Sequence, residues 1–148
     1  MIVFNNISSI NFLIKDSIFN EFQEYDYRGE KGYAKLIGWE LVVFSLDKKH
    51  ISAIKLCFNS DYDEINSKSE NIANLLIDNF QQKLMPKNLN KIFEPIKVEE
   101  NIMSDVIDYY YHFDDIILII GILEDKIQTF EYSIDKSINR SVLDFINT

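Results

Sequence analysis

One cysteine, two prolines, four glycines and two histidines leave this 148-residue chain little of the material from which recognisable sites are built. The lone Cys57 excludes an intramolecular disulfide. In the predicted strand 51–58 it lies with Lys55 on the face opposite Ile54, Leu56 and Phe58, and it reads as a buried, inert thiol. Scarce glycine removes the phosphate-binding loop, the dinucleotide fingerprint and the nucleophile elbow, each of which needs close backbone approach to a ligand. Of the histidines, His50 falls in a charged turn and His112 follows Tyr109–Tyr110–Tyr111. Asp114 and Asp115 lie near His112, but no HExxH or paired-cysteine spacing supports a metal, and a structural or surface role is the better reading. No cofactor and no metal are expected.

Long apolar runs are missing too. The longest, Ile116–Leu123, is far short of the ~20 residues a membrane helix needs. The opening MIVFNNISSINFLIKD lacks an early basic residue and a small-residue cleavage site, so the chain is expected in the cytoplasm. Basic residues are in deficit, 15 against 24 acidic, for a net charge of −9. That balance argues against nucleic acid, whose phosphates require Lys and Arg, and against anionic membranes. It suits a basic protein partner.

What the chain has is alternation. WELVVFSLDKKHISAIKLCFNSD (residues 39–61) runs strand, charged turn, strand, and leads into a helical pattern over 67–84. DIILIIGILEDKIQTFEYSIDK (115–136) repeats the scheme and leads into a helical run over 137–148. Ser67 and Glu70 form a capping-box pattern. Ile72, Ala73, Leu76, Ile77, Phe80 and Leu84 make an amphipathic stripe that Pro86 ends. A weaker helical periodicity covers 7–22, and 88–93 reads as a single helical turn. Residues 33–37 and 39–44 read as extended with a bulge at Gly38, 51–58 and 109–113 as strands, and 102–107 as ambiguous. Ile116–Leu123 is apolar on both faces, as in a central strand, and Ser137 is placed to cap a last helix with Ile138, Val142, Phe145 and Ile146 facing the core. With no linker visible, residues 1–148 read as a single globular domain of the α+β class. The expectation is an antiparallel, meander-like sheet of about five or six strands with packed helices, its two ββα units (33–85 and 109–148) forming a pseudo-repeat that shares one core.

Chemistry is confined to two kinds of cluster. Acidic runs recur at Asp61, Asp63 and Glu64, at Glu99–Glu100, at Asp114–Asp115 and at Glu124–Asp125. The first lacks the glycine and the bidentate glutamate of a calcium loop, so solvated loop charge or a surface for a basic partner remains. In the tyrosine run Tyr110 points away from Tyr109 and Tyr111, so one face carries an aromatic that the core need not use and a partner can.

A small acidic chain with a GWELVVFSLD strand, a KKHISAIKLCF return strand and an amphipathic helix resembles the immunity proteins of bacterial contact-dependent inhibition and related polymorphic-toxin systems. The likeness is one of type across most of the chain, and no residue is transferred from it by position. It implies a non-catalytic protein that binds one cognate toxin domain, often a basic nuclease, and occludes its active site. The contact residues expected on the sequence are Asp61, Asp63, Glu64, Asp114 and Asp115 for steering, and the outward member of Tyr109, Tyr110 and Tyr111 for the hold. The alternative is a structural or regulatory module, such as a homodimer joined by sheet edges; an enzyme with an unrecognised site ranks below both.

Overall fold

The computed structural model describes residues 21–37, 41–57, 85–113 and 115–147. They form one eight-stranded sheet with the order β1-β2-β3-β4-β8-β7-β6-β5. The strands are β1 (Gln23–Tyr27), β2 (Glu30–Ile37), β3 (Leu41–Ser45), β4 (Ala53–Cys57), β5 (Lys97–Glu100), β6 (Ile107–Phe113), β7 (Ile116–Leu123) and β8 (Lys126–Ser133). Every neighbouring pair is antiparallel. Two short helices accompany them among the described residues, α1 (Pro86–Leu89) and α2 (Lys136–Ile146).

This corrects the α+β expectation of five or six strands with packed helices. The described chain is mostly sheet, and β1 and β5 are the strands the sequence reading lacked. Both lie at the outer edges, where a strand is paired on one side only and needs no apolar alternation. Four of the five β1 residues are exposed, and β5 reads KVEE. The two hairpins expected from the charged turns are present, as β3 with β4 and β7 with β8. Gly38 lies outside the described residues, but β2 and β3 flank it as an antiparallel pair (Ile37↔Leu41). The helical pattern over 67–84 also lies outside them, as does that over 7–22 apart from its last two residues.

The strand order is unchanged when β1–β4 are exchanged with β5–β8, and β4 and β8 meet at the centre. The two units that share a pattern in sequence, β3–β4 and β7–β8, therefore occupy equivalent places. β7 earns its central position by composition: from Ile116 to Ile122 every residue is buried, because both faces of an all-apolar strand must be covered.

The sheet is strongly curled. Tyr27 and Arg28, at the end of β1, reach Glu131 on β8, although β1 and β8 are four strand spacings apart, or roughly 19 Å on a flat sheet with strands about 4.8 Å from one another. Cross-strand partners share a face, so the register Ala34↔Phe44, Phe44↔Ala53, Ala53↔Ser133 and Ile117↔Ser133 traces the inner, concave side. Ile138 and Val142 of α2 join Tyr27, Phe44, Ala53 and Ile117 in one buried cluster there. Asp135, and not Ser137, caps this helix: its carboxylate accepts from the Ser137 and Ile138 amides at 2.9 and 3.2 Å. Phe145, expected in the core, is 56% exposed and lies 5.8 Å from the Lys97 ammonium. The outer face carries Val43, Ile54, Leu118, Ile120, Tyr111 and Phe130, all buried. The Tyr111 hydroxyl donates to Asn90 Oδ1 at 2.8 Å and ties the α1 turn to β6.

Candidate functional site

Two places gather chemically distinctive residues: the polar centre of the inner face, and one end of the sheet. At the centre, Glu131 projects inward from β8 between Lys55 of β4 and Ile119 of β7, its partners in register. Its carboxylate is fully occupied. Arg28 donates from Nε to Oε1 at 3.0 Å and from Nη2 to Oε2 at 2.7 Å, and the Tyr27 hydroxyl donates to Oε1 at 2.6 Å. The two-residue turn Arg28–Gly29 delivers the guanidinium, both residues having left-handed backbone with φ of 51° and 83°, as a tight hairpin of this type requires. Arg28 is not one of the residues that adopts such a φ at low cost, so the strain is held by the ion pair it makes.

Burial alone would raise the Glu131 pKa, but the Arg28 hydrogen bonds and charge, with Tyr27 added, hold it below the usual carboxylate range. Burial, then the neighbouring Glu131 charge, pushes the Tyr27 phenol far upward, so it stays protonated as a donor. A carboxylate with both oxygens taken and a phenol that does not ionise are poor acid–base catalysts; this trio closes the curl of the sheet.

Asp108 of β6 lies on the same inner face, with Glu99 as its partner on β5 and Gly121 on β7. A Cβ at Gly121 would fall 2.2 Å from Thr129 Oγ1 and 2.9 Å from Asp108 Oδ1, so glycine lets both side chains lie over the strand. Glu131 is paired with Arg28 and Glu99 with Lys97; Asp108 has neither a hydrogen bond nor an ion pair among the described residues. Burial first, then the Glu131 and Glu99 charges, raises its pKa.

The sheet end is built differently. Strand β5 runs into the turn at residues 101–105, where Asn101 Oδ1 accepts from the Met103 amide at 3.0 Å and the Asp105 amide donates to the Asn101 carbonyl at 2.9 Å. These bonds aim the two apolar residues of the turn outward: Ile102 is 92% exposed and Met103 96%. Glu100 and Asp105 bracket them, both exposed. Ile107 pairs with Ile122, so the exposed Glu124–Asp125 turn of β7–β8 emerges at the same end. Residues 102–107 carry neither a clear helical nor a clear strand pattern, so this tip does not stand out in the sequence. The signal available was Ile102–Met103 set between acids with no strand or helix of their own to face.

The expected contact residues separate. Asp61, Asp63, Glu64 and Asp114 lie outside the described residues. Asp115 is exposed, but on the β6–β7 turn at the opposite end of the sheet, where its carbonyl accepts from the Asn139 side chain at 2.6 Å. Tyr110 and Tyr111 point to opposite faces as expected, yet both are buried, at 4% and 0% exposure, because both faces of β6 are covered there. Burial raises the Tyr110 phenol and pushes Tyr111 up to about 12. Tyr109 is half-buried. None of the three tyrosines is exposed, whereas Ile102 and Met103 are.

The remaining signals stay apart. His50 is exposed, with Nδ1 2.9 Å from Asp47 Oδ2, and that hydrogen bond, with the Lys49 and His50 amides, holds the Asp47 carboxyl well below the usual range. His112 is exposed on β6, and Cys57 is partly buried. Among the described residues no three His, Cys, Asp or Glu side chains converge as a metal site would require. A recess of about 520 Å³ over the β1–β2 hairpin is lined, among the described residues, by Glu24, Tyr25, Asp26, Lys31, Gly32, Tyr33 and Leu46, none of which is a histidine, cysteine or serine. No described helix is long and apolar enough to cross a membrane.

The class these features define is a curled, mostly-β sheet protein with an apolar tip set among acids at one end. No family model, curated protein or solved structure matches the chain.

Proposed function

We propose that this chain is an immunity protein that binds a cognate, basic toxin domain and covers its active site. The observation that carries the reading is the turn at 101–105. Two large apolar side chains stand almost wholly in water at a hydrogen-bonded tip, flanked in sequence by the exposed Glu100 and Asp105, with the Glu124–Asp125 turn at the same end of the sheet. Exposed apolar groups rimmed by charge are the composition of a protein-binding surface. The net charge of −9 favours a basic partner. The buried Glu131 carboxylate is spent on the fold, in keeping with a binder more than a catalyst.

The test is binding kinetics with whatever toxin domain a neighbouring gene encodes, at two ionic strengths, together with rescue of growth on co-expression. Ile102→Ser with Met103→Ser should raise the dissociation rate roughly 30-fold, the equivalent of ~2 kcal/mol at a well-packed anchor. Glu124→Lys with Asp125→Lys should chiefly slow association and flatten its salt dependence. Binding indifferent to both pairs, or no binding and no rescue, sinks the reading and favours a structural or regulatory module.

A further inference from the structure

The two outer edges of the sheet differ in what they offer a second copy of the chain. We propose that β5 is a homodimerisation edge, pairing antiparallel with β5 of a second copy about a two-fold axis at Val98. The alternation of the strand sets the geometry. The Asn101 amide donates to the Val106 carbonyl at 2.8 Å, and Glu99↔Asp108 and Lys97↔Tyr110 continue that register. The backbone groups of Lys97 and Glu99 therefore face β6, and those of Val98 and Glu100 face outward.

With Val98 on the axis, Val98 meets its own copy, and it is 49% exposed with Ile96 beside it at 43%. On the inner face Lys97 falls opposite Glu99 of the other copy, and the reverse contact repeats it, so the pairing places two opposite-charge pairs across the junction. Lys97 and Glu99 already lie 3.8 Å apart within one chain, on the same face, and are positioned to share the interaction. Shifting the axis to Glu99 or Glu100 sets a glutamate against itself, so one register is selected.

The other edge forbids the same pairing. In β1 the bonded pairs are Tyr27↔Glu30 and Tyr25↔Gly32, leaving Glu24 and Asp26 facing outward. An axis at Glu24, Tyr25 or Asp26 places acid against acid each time, which blunts the edge. Only one edge is self-complementary, so the product is a closed dimer and not a filament. Antiparallel pairing sends the two 101–105 tips to opposite ends, so this inference stands apart from the toxin-binding reading.

Sedimentation velocity across the micromolar range tests it, since two copies of charge −9 repel at long range and associate weakly. The native chain should shift from monomer to dimer with concentration. Lys97→Glu and Glu99→Lys should each weaken dimerisation at least tenfold, by setting like charges across the junction. Mixed in equal amounts, these two variants should form a heterodimer, because each then meets its complement. Val98→Pro, which removes an outward amide that β6 does not use, should abolish pairing by a second route. A native chain that stays monomeric throughout, or single variants that dimerise like the native chain, overturns the proposal.

Discussion

Glu131 has both oxygens engaged on the inner side of β8, and three residues depend on it. Arg28 occupies a strained turn to reach it, Tyr27 is buried against the Phe44 ring with centroids 5.1 Å apart, and Lys55 is its strand neighbour. Glu131→Gln should cost about 3 kcal/mol in a urea melt, the low end for breaking a buried pair, because Arg28 keeps some contact with water. Tyr27→Phe should cost about 2 kcal/mol through loss of a hydrogen bond to a charged acceptor. Near-neutral effects of both would show that the curl is held by apolar contact alone. The carboxylates on this face respond to pH with opposite signs. Glu131, lowered, contributes stability that is present above the ordinary carboxylate range and lost as pH falls through its depressed pKa. Asp108, raised, contributes stability that is present below that range and lost as pH rises through its elevated pKa. Asp108→Asn should therefore gain on the native chain as pH rises through the carboxylate range, which urea midpoints between about pH 3 and pH 7 would reveal. An unchanged difference across that interval would place Asp108 in water.

At the scale of elements, the turns carry the strain. The β7–β8 hairpin turns on Glu124 and Asp125 with φ of 50° and 62°, a turn type that favours Asn-Gly or Asp-Gly because both positions are left-handed. Glutamate at the first of these has no local hydrogen bond to offset the cost. Glu124→Asn should raise stability by about 0.5–1 kcal/mol without loosening the unfolded chain, since asparagine tolerates this conformation. On the toxin-binding reading the same change slows association, so thermal melts and binding rates should move in opposite functional directions. Stability unchanged in the melt would mean that the turn relaxes without cost. The hairpin strands themselves were legible from the pattern of apolar residues over Ile116–Leu123 and Ile127–Tyr132, but the half-buried alternation expected of the second was not met, since Phe130 to Ser133 are all buried. Edge strands were not legible. KVEE offers a single apolar residue and QEYDY only the pair Tyr25 and Tyr27, too short a signal to stand alone, and their stability comes from hydrogen bonds to β2 and β6 and from the curl that folds Tyr27 inward.

For the whole molecule, composition and pattern determined the acidic balance, the antiparallel hairpins, the doubly buried β7 and the scarcity of close-approach glycines, because each is a property of local sequence. Candidate sites were legible only as residue types. The acids at 99–100 and 124–125 were visible as charged runs, but nothing in sequence says that the turns at 101–105 and 124–125 emerge at one end of the sheet while Asp115 emerges at the other. That follows from β6 lying between β5 and β7. The tyrosine run shows the same limit: alternation correctly sends Tyr110 and Tyr111 to opposite faces, but whether a face is covered depends on elements distant in sequence, and both were. The Arg28–Glu131 pair, separated by 103 residues, and the self-complementary charge of the β5 edge could be seen only once the strand order and register had brought those side chains to one face. Local pattern set which segments extend and turn; pairing partners, face coverage and curl are long-range properties, and the tertiary structure alone decided them.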